Sequence, residues 1–147
     1  MYPQLKLENQ LCFRLYTASR YVTASYTPFF KEYNITYPQY LVLMVLWEKD
    51  NRVISEITDL LHLETNTVTP LLQRMEKVGL IVRQKSKVDS RQRIISLSRR
   101  GKQLEEKIKE VPNCIARSVI ENGISTEELQ TLVQTLDKLI ASLSNIK

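Results

Sequence analysis

Cys12 stands four residues before Tyr16, and on a helix that interval sets a phenol on the same face as the thiol. A phenolic O–H donates to a thiolate and favours the charged form, which attacks a peroxide O–O bond and leaves the sulfur as a sulfenic acid. The second thiol, Cys114, lies far along the chain, and there is no CxxC pair. Neither a secreted disulfide framework nor a zinc site is expected, so in a reducing compartment both cysteines should rest as thiols. Taken alone, Cys12 reads more plainly as a buried structural thiol. His62 is the only histidine, so a Ser-His-Asp or Cys-His centre would have to be built around it, and a His-rich metal site is excluded. Its place in Leu60-Leu61-His62-Leu63, at the end of a helix, suits a structural or solvent-facing side chain. No glycine-rich phosphate loop is present, which argues against nucleotide-dependent enzymes. No catalytic set, metal or cofactor is expected.

The other chemistry-bearing stretch is basic. Between Gln73 and Lys102 ten basic residues (Arg74, Lys77, Arg83, Lys85, Lys87, Arg91, Arg93, Arg99, Arg100, Lys102) face two acids, Glu76 and Asp89. That local excess of eight exceeds the chain's total of +5, so the remainder is negative by three. Positive charge concentrated in this way attracts DNA, whose condensed counterions are released on contact. A solvated charged hairpin is the plainer alternative.

The elements around this charge have a recognisable order. Val53 to Leu63 predicts a helix with Ile54, Ile57, Leu60 and Leu61 inward. A second begins near Thr65-Asn66-Thr67, small polar residues able to cap it and to meet phosphates or base edges. Pro70 is expected in its first turn, since a proline further in costs about 3 kcal/mol. Leu71, Leu72, Met75 and Val78 form an apolar stripe that leaves Thr67, Thr69, Gln73, Arg74 and Lys77 on the other faces, and Gly79 should end the helix in a left-handed conformation. Leu80 to Arg83 and Arg93 to Leu97 read as strands, with Gln84 to Gln92 as the tip between them. Two helices and a basic hairpin in this order can place protein in both grooves of a duplex.

Further out, apolar residues at Leu7, Leu11, Leu15, Ala18 and Val22 predict one long helix from Leu5 to about Tyr33. Thr36-Tyr37-Pro38-Gln39 is a capping box for a buried helix over Tyr40 to Trp47. Arg99 to Glu121 predicts a helix interrupted at Pro112, and Ser125-Thr-Glu-Glu128 opens a last one whose leucines run to the end. With 147 residues, 43% of them hydrophobic, the chain can bury a real core. It is too short to cover three such stripes, so the terminal helices are expected to pair with a second copy. The alternative is a monomer folded back on itself. No apolar run reaches the roughly 20 residues needed to cross a bilayer and the start lacks a signal-peptide pattern, so a cytoplasmic location without membrane contact is expected.

This order resembles the MarR family of dimeric winged helix-turn-helix repressors over essentially the whole chain. Asp89-Ser90-Arg91 matches that family's Asp-x-Arg wing motif. Leu7-Glu-Asn-Gln-Leu-Cys12-Phe, Asn34-Ile-Thr-Tyr-Pro-Gln-Tyr40 and Thr69-Pro70-Leu71-Leu72-Gln73-Arg74-Met75-Glu76 are similar to the OhrR branch, repressors that sense organic hydroperoxides through one cysteine. The resemblance implies a mainly α fold with a small β-hairpin wing, in one domain over 1–147. Residues 36–98 would bind DNA, and 1–35 with 99–147 would form the dimer.

It further implies that Cys12 is the sensor and that Tyr16, Tyr26 and Tyr37, some from the partner subunit, support its thiolate. The residues implied at DNA are Thr65, Asn66, Thr67, Thr69, Pro70, Gln73, Arg74, Lys85, Asp89 and Arg91, on a pseudo-palindromic operator. Cys114 stands about one turn earlier than the branch's resolving cysteine. It would either reach Cys12 of the other subunit, which needs Cα atoms within about 7 Å, or leave Cys12 to a small-molecule thiol. Three other readings stay open: a regulator relieved by a reversibly bound small aromatic ligand, a thiol peroxidase, and a protein-interaction adaptor.

Overall fold

The capping box expected at Thr36 is formed: the Gln39 side chain accepts from the Thr36 N–H at 3.0 Å, and the Thr36 hydroxyl accepts from the Gln39 N–H at 3.4 Å. It starts a helix, α3 (Tyr37–Glu48), that buries Tyr40, Val42, Leu43, Val45 and Leu46. Such all-round apolarity is what a central helix needs. The structure, a computed structural model, describes residues 1–146, and the chain forms two compact units, Met1–Lys109 and one beginning at Glu110.

Ahead of α3 the single long helix expected from Leu5 to Tyr33 is broken. Two short 3₁₀ turns (Pro3–Leu5 and Leu7–Asn9) precede α1 (Leu11–Ser25), and α2 (Thr27–Lys31) follows after Tyr26. Pro28 explains the second break: it has no N–H for the Ala24 carbonyl four residues back, so the chain turns and restarts with the proline in the first turn of α2. Phe30 of α2 is buried, whereas α1 buries nothing within one chain.

After α3 comes β1 (Arg52–Val53), then α4 (Ile54–Leu61) and α5 (Thr65–Lys77). Ile57 is buried as expected, but Leu60 is exposed. His62 ends α4 with φ 52 and faces solvent, and Leu63 N–H reaches back to the Thr58 carbonyl at 3.1 Å. Strands β2 (Ile81–Lys85) and β3 (Arg93–Leu97) form the hairpin. The sheet has three strands rather than the two expected, in the order β1-β3-β2, all antiparallel. Ile95 is central and fully buried, paired to Arg83 on one side and Arg52 on the other.

α6 (Arg99–Ile108) closes the first unit, with Trp47 Nε1 donating to the Gly101 carbonyl at 2.9 Å. The second unit holds α7 (Val111–Glu121), which begins with Pro112 in its first turn, so the break expected at that proline is present. It also holds α8 (Thr126–Ser144), started by the Ser125/Glu128 capping box. Leu132, Val133, Ile140 and Leu143 of α8 are exposed. No helix among the described residues is long and apolar enough to cross a membrane.

Candidate nucleic-acid interface and thiol site

α5 is anchored by Val68, Leu71, Leu72 and Met75, all buried. Val68 belongs to the buried stripe although its place near the helix start hid it, and Val78, expected inward, is exposed. Two further expectations fail locally. The polar run at Thr65 does not cap the helix: Glu64 is the N-cap, without a side-chain bond, and its carbonyl accepts from Thr67 and Val68 N–H. Pro70 is inside the helix, in the second turn, rather than in the first. The Asn66 carbonyl loses its donor there, and burial of Val68 and Leu71 on either side of the proline outweighs that local cost.

The outward face is the one expected. Thr65, Asn66, Thr67, Gln73 and Arg74 are exposed, and Thr69 and Pro70 half-buried. Gly79, at φ 76, ends α5 in the left-handed region; its N–H reaches the Glu76 carbonyl at 3.0 Å and Leu80 N–H the Met75 carbonyl at 2.9 Å. The chain therefore turns directly from helix into wing.

The wing tip is short and braced. Ser86 N–H donates to the Gln92 carbonyl at 3.0 Å, and the buried Ser86 hydroxyl accepts from Val88 N–H at 3.2 Å and Asp89 N–H at 3.3 Å. The Asp89 carboxylate accepts from the Arg91 backbone at 3.0 Å and from its guanidinium at 3.2 and 3.3 Å. Those hydrogen bonds from the Arg91 side chain, and next from its backbone N–H, hold the Asp89 carboxyl below its ordinary pKa. Arg91 is thereby oriented while its side chain stays 89% exposed. Lys85 and Lys87 flank the tip, also exposed. The arrangement offers a polyanion two long-stemmed ammonium groups and one oriented guanidinium.

The thiol side is divided within the chain. Cys12 is the second residue of α1 and is exposed; Tyr16, one turn on, is exposed too, with the Arg20 guanidinium 5.2 Å from its ring centroid. Tyr26 and Tyr37 lie together instead, ring centroids 5.2 Å apart and edge-on, in a cluster with Phe30 and the buried Tyr40. Burial raises the Tyr26 and Tyr37 hydroxyls, and lifts Tyr40 to about 12 with help from its two phenolic neighbours. These phenols remain protonated donors at neutral pH. Among the described residues no hydrogen bond joins the Cys12 thiol to a tyrosine hydroxyl. Cys114 is half-buried on α7, in the second unit.

In sequence and fold the chain is similar to known transcriptional regulators. The family model for the transcriptional regulator SarA/Rot matches residues 24–110. The chain is 42% identical over 135 residues to the organic hydroperoxide resistance transcriptional regulator of Bacillus subtilis (strain 168), covering 92% of each. Reduced AbfR bound to DNA has a TM-score of 0.76 at 35% identity, covering 95% of both chains. Disulfide-formed AbfR gives 0.68 at 38%, covering 94% of both, and AbfR is a Staphylococcus epidermidis protein. A MarR protein from Peptoclostridium difficile shares the fold, with a TM-score of 0.84 at 21% identity over 99% of this chain and 94% of that one.

Proposed function

The chain belongs to the SarA/Rot and MarR type of winged-helix transcriptional regulators, and from that premise we propose that it is a homodimeric DNA-binding repressor that senses organic hydroperoxides through Cys12. Residues 36–98 form the DNA-binding region, while 1–35 and 99–147 form the dimer. Support for pairing comes from the apolar side chains that one chain leaves in water: Leu7, Leu11 and Val22 at one end, Leu132, Val133, Ile140 and Leu143 at the other.

On DNA, two copies of α5 would enter successive major grooves about one helical turn apart on a pseudo-palindromic site. Thr65, Asn66, Thr67, Thr69 and Gln73 meet phosphates or base edges there, with Pro70 shaping the helix surface and Arg74 as a base or phosphate partner. Arg91 enters the minor groove, Asp89 holds it at the right angle, and Lys85 contacts the backbone.

The observation that carries the sensing half is the exposed Cys12–Tyr16 turn of α1 standing apart from the Tyr26–Tyr37 pair, so that a second copy can bring thiol and phenols together. The names of the Bacillus subtilis relative and of disulfide-formed AbfR support the same chemistry. The Cys12 thiolate attacks the terminal peroxide oxygen; the O–O bond breaks, an alcohol leaves, and the sulfur becomes a sulfenic acid. A second thiol, from Cys114 of the other subunit or from a small molecule, then forms the S–S bond and releases water. A hundredfold loss of operator affinity requires about 2.7 kcal/mol of coupling between oxidation and DNA binding.

Gel shifts with the chain's own upstream DNA, with and without cumene hydroperoxide, test the proposal: binding that the peroxide abolishes and a thiol reductant restores is the expected result. Release by an aromatic acid but not by peroxide would favour the second reading, a reversibly bound ligand. A cavity of about 280 Å³ lined by Phe30, Tyr37 and Lys31 gives that reading its footing.

A further inference from the structure

We propose that Val88 is a DNA-contacting residue, carried by the wing tip into the minor groove beside Arg91 so that its methyl groups pack against the deoxyribose walls. The proposal rests on the DNA-binding reading above and adds to it an apolar contact that a basic hairpin alone does not supply.

An exposed valine is ordinary on a protein surface, and by itself it signifies little. Val88 differs in degree and in setting. At 98% exposure it is the most exposed of the large hydrophobic side chains among the described residues, above even the terminal Met1 at 96%. Its neighbours on the tip are charged or polar: Lys87, Asp89, Ser90 and Arg91, with Lys85 and Arg93 at the ends of the strands.

The side chain is also presented by a fixed backbone. Val88 N–H is held by the buried Ser86 hydroxyl at 3.2 Å, and the same hydroxyl fixes Asp89, whose carboxylate orients Arg91 three residues on from Val88. A β-branched side chain on such a turn has few rotamers to lose on burial. Flanking cations draw the tip to phosphates, and the groove between them, about 6 Å wide, is walled by the C–H groups of the sugars. Minor-groove proteins combine polar and basic side chains, arginine among them, with inserted apolar ones in the same groove. A partner with phosphate edges and sugar C–H walls between them matches the tip in both charge and shape.

The test uses the full-length reduced protein and its upstream DNA, with affinity measured by fluorescence anisotropy at several salt concentrations. Val88→Ala is expected to bind about fivefold more weakly at every salt concentration, because methyl contact is lost while no counterion release changes. Val88→Ile should bind within about twofold of wild type. Arg91→Ala, the control, should lower the salt slope by about one. Hydroxyl-radical footprints should lose sugar protection at the wing sites with Val88→Ala. Wild-type affinity in Val88→Ala overturns the proposal and leaves the regulator reading standing, as does a loss accompanied by a changed salt slope, which would mean displaced cations. A wild-type protein without salt-sensitive DNA binding overturns both. Melting curves of the variant should match wild type, since so exposed a side chain supports no core.

Discussion

The Glu76 carboxylate of α5 grips Arg83 of β2 at two points: the Arg83 side-chain Nε donates to it at 2.9 Å and the Arg83 backbone N–H at 3.4 Å. Helix and wing are thus tied by a charge-assisted contact in addition to the Gly79 turn. With side-chain exposures of 24% and 38% the pair is partly screened, so Glu76→Ala should cost about 1 kcal/mol and lower Tm by a few degrees. Its larger effect should fall on geometry. In competition binding, the ratio of operator to random-DNA affinity should drop more than random-DNA affinity itself; an unchanged ratio would show that the wing angle is set elsewhere.

Gly101 marks a close approach between α6 and the chain leaving α5. A Cβ there would collide with the Leu80 backbone carbonyl oxygen, which cannot swing aside as a side chain can. The same residue's carbonyl accepts from Trp47, so α6 would have to retreat from α3 as well. Gly101→Ala should destabilise the protein by about 1 to 3 kcal/mol despite alanine's better helix propensity. Urea unfolding checks this, and a stabilised variant would contradict the contact.

What could be read from the residues in order was what is decided locally. The capping boxes at Thr36 and Ser125, the left-handed Gly79 and the break at Pro112 each involve partners within four positions, and all are present. The failures depend on distant partners. β1 has two residues and exists only through pairing with Ile94 and Ile95 some forty positions later. Pro70 is tolerated inside α5 because Val68 and Leu71 are buried by packing that no local rule anticipates. Pro28 is the exception, a local signal: it breaks the expected first helix beyond the apolar rhythm, which runs only to Val22. For the thiol, spacing pairs Cys12 with Tyr16 on one helix face, but whether Tyr26 and Tyr37 approach them is a property of two chains.

The phenol cluster makes the fold sensitive to alkali. Burial and its neighbours Tyr26 and Tyr37 lift the Tyr40 hydroxyl from 10.0 to about 12. The folded state therefore keeps this proton more tightly than the unfolded one. The associated stability is whole below about pH 10 and is lost as pH rises toward 12. Tyr40→Phe should flatten that decline between the two values, as read from urea midpoints measured across the range. An unaltered slope would place the alkaline sensitivity in another group.

On the proposed reading, substituting the two thiols one at a time separates sensing from resolution. Cys12→Ser should bind operator as the reduced wild type does, because an exposed thiol supports no packing within the chain, yet it should no longer respond to cumene hydroperoxide. Peroxide release in that variant would move the sensor elsewhere. Cys114→Ser addresses the fate of the sulfenic acid. If Cys114 of one subunit resolves Cys12 of the other, non-reducing electrophoresis of the oxidised wild type shows a crosslinked dimer that Cys114→Ser abolishes. If a small-molecule thiol caps Cys12 instead, mass spectrometry finds the same adduct on both proteins and no crosslink on either. Cys114 is half-buried on α7, so a crosslink that draws it out of that packing would loosen the helix locally. Amide exchange along α7 should then rise on oxidation in the wild type and stay constant in Cys114→Ser, so the structural consequence and the covalent one can be scored separately.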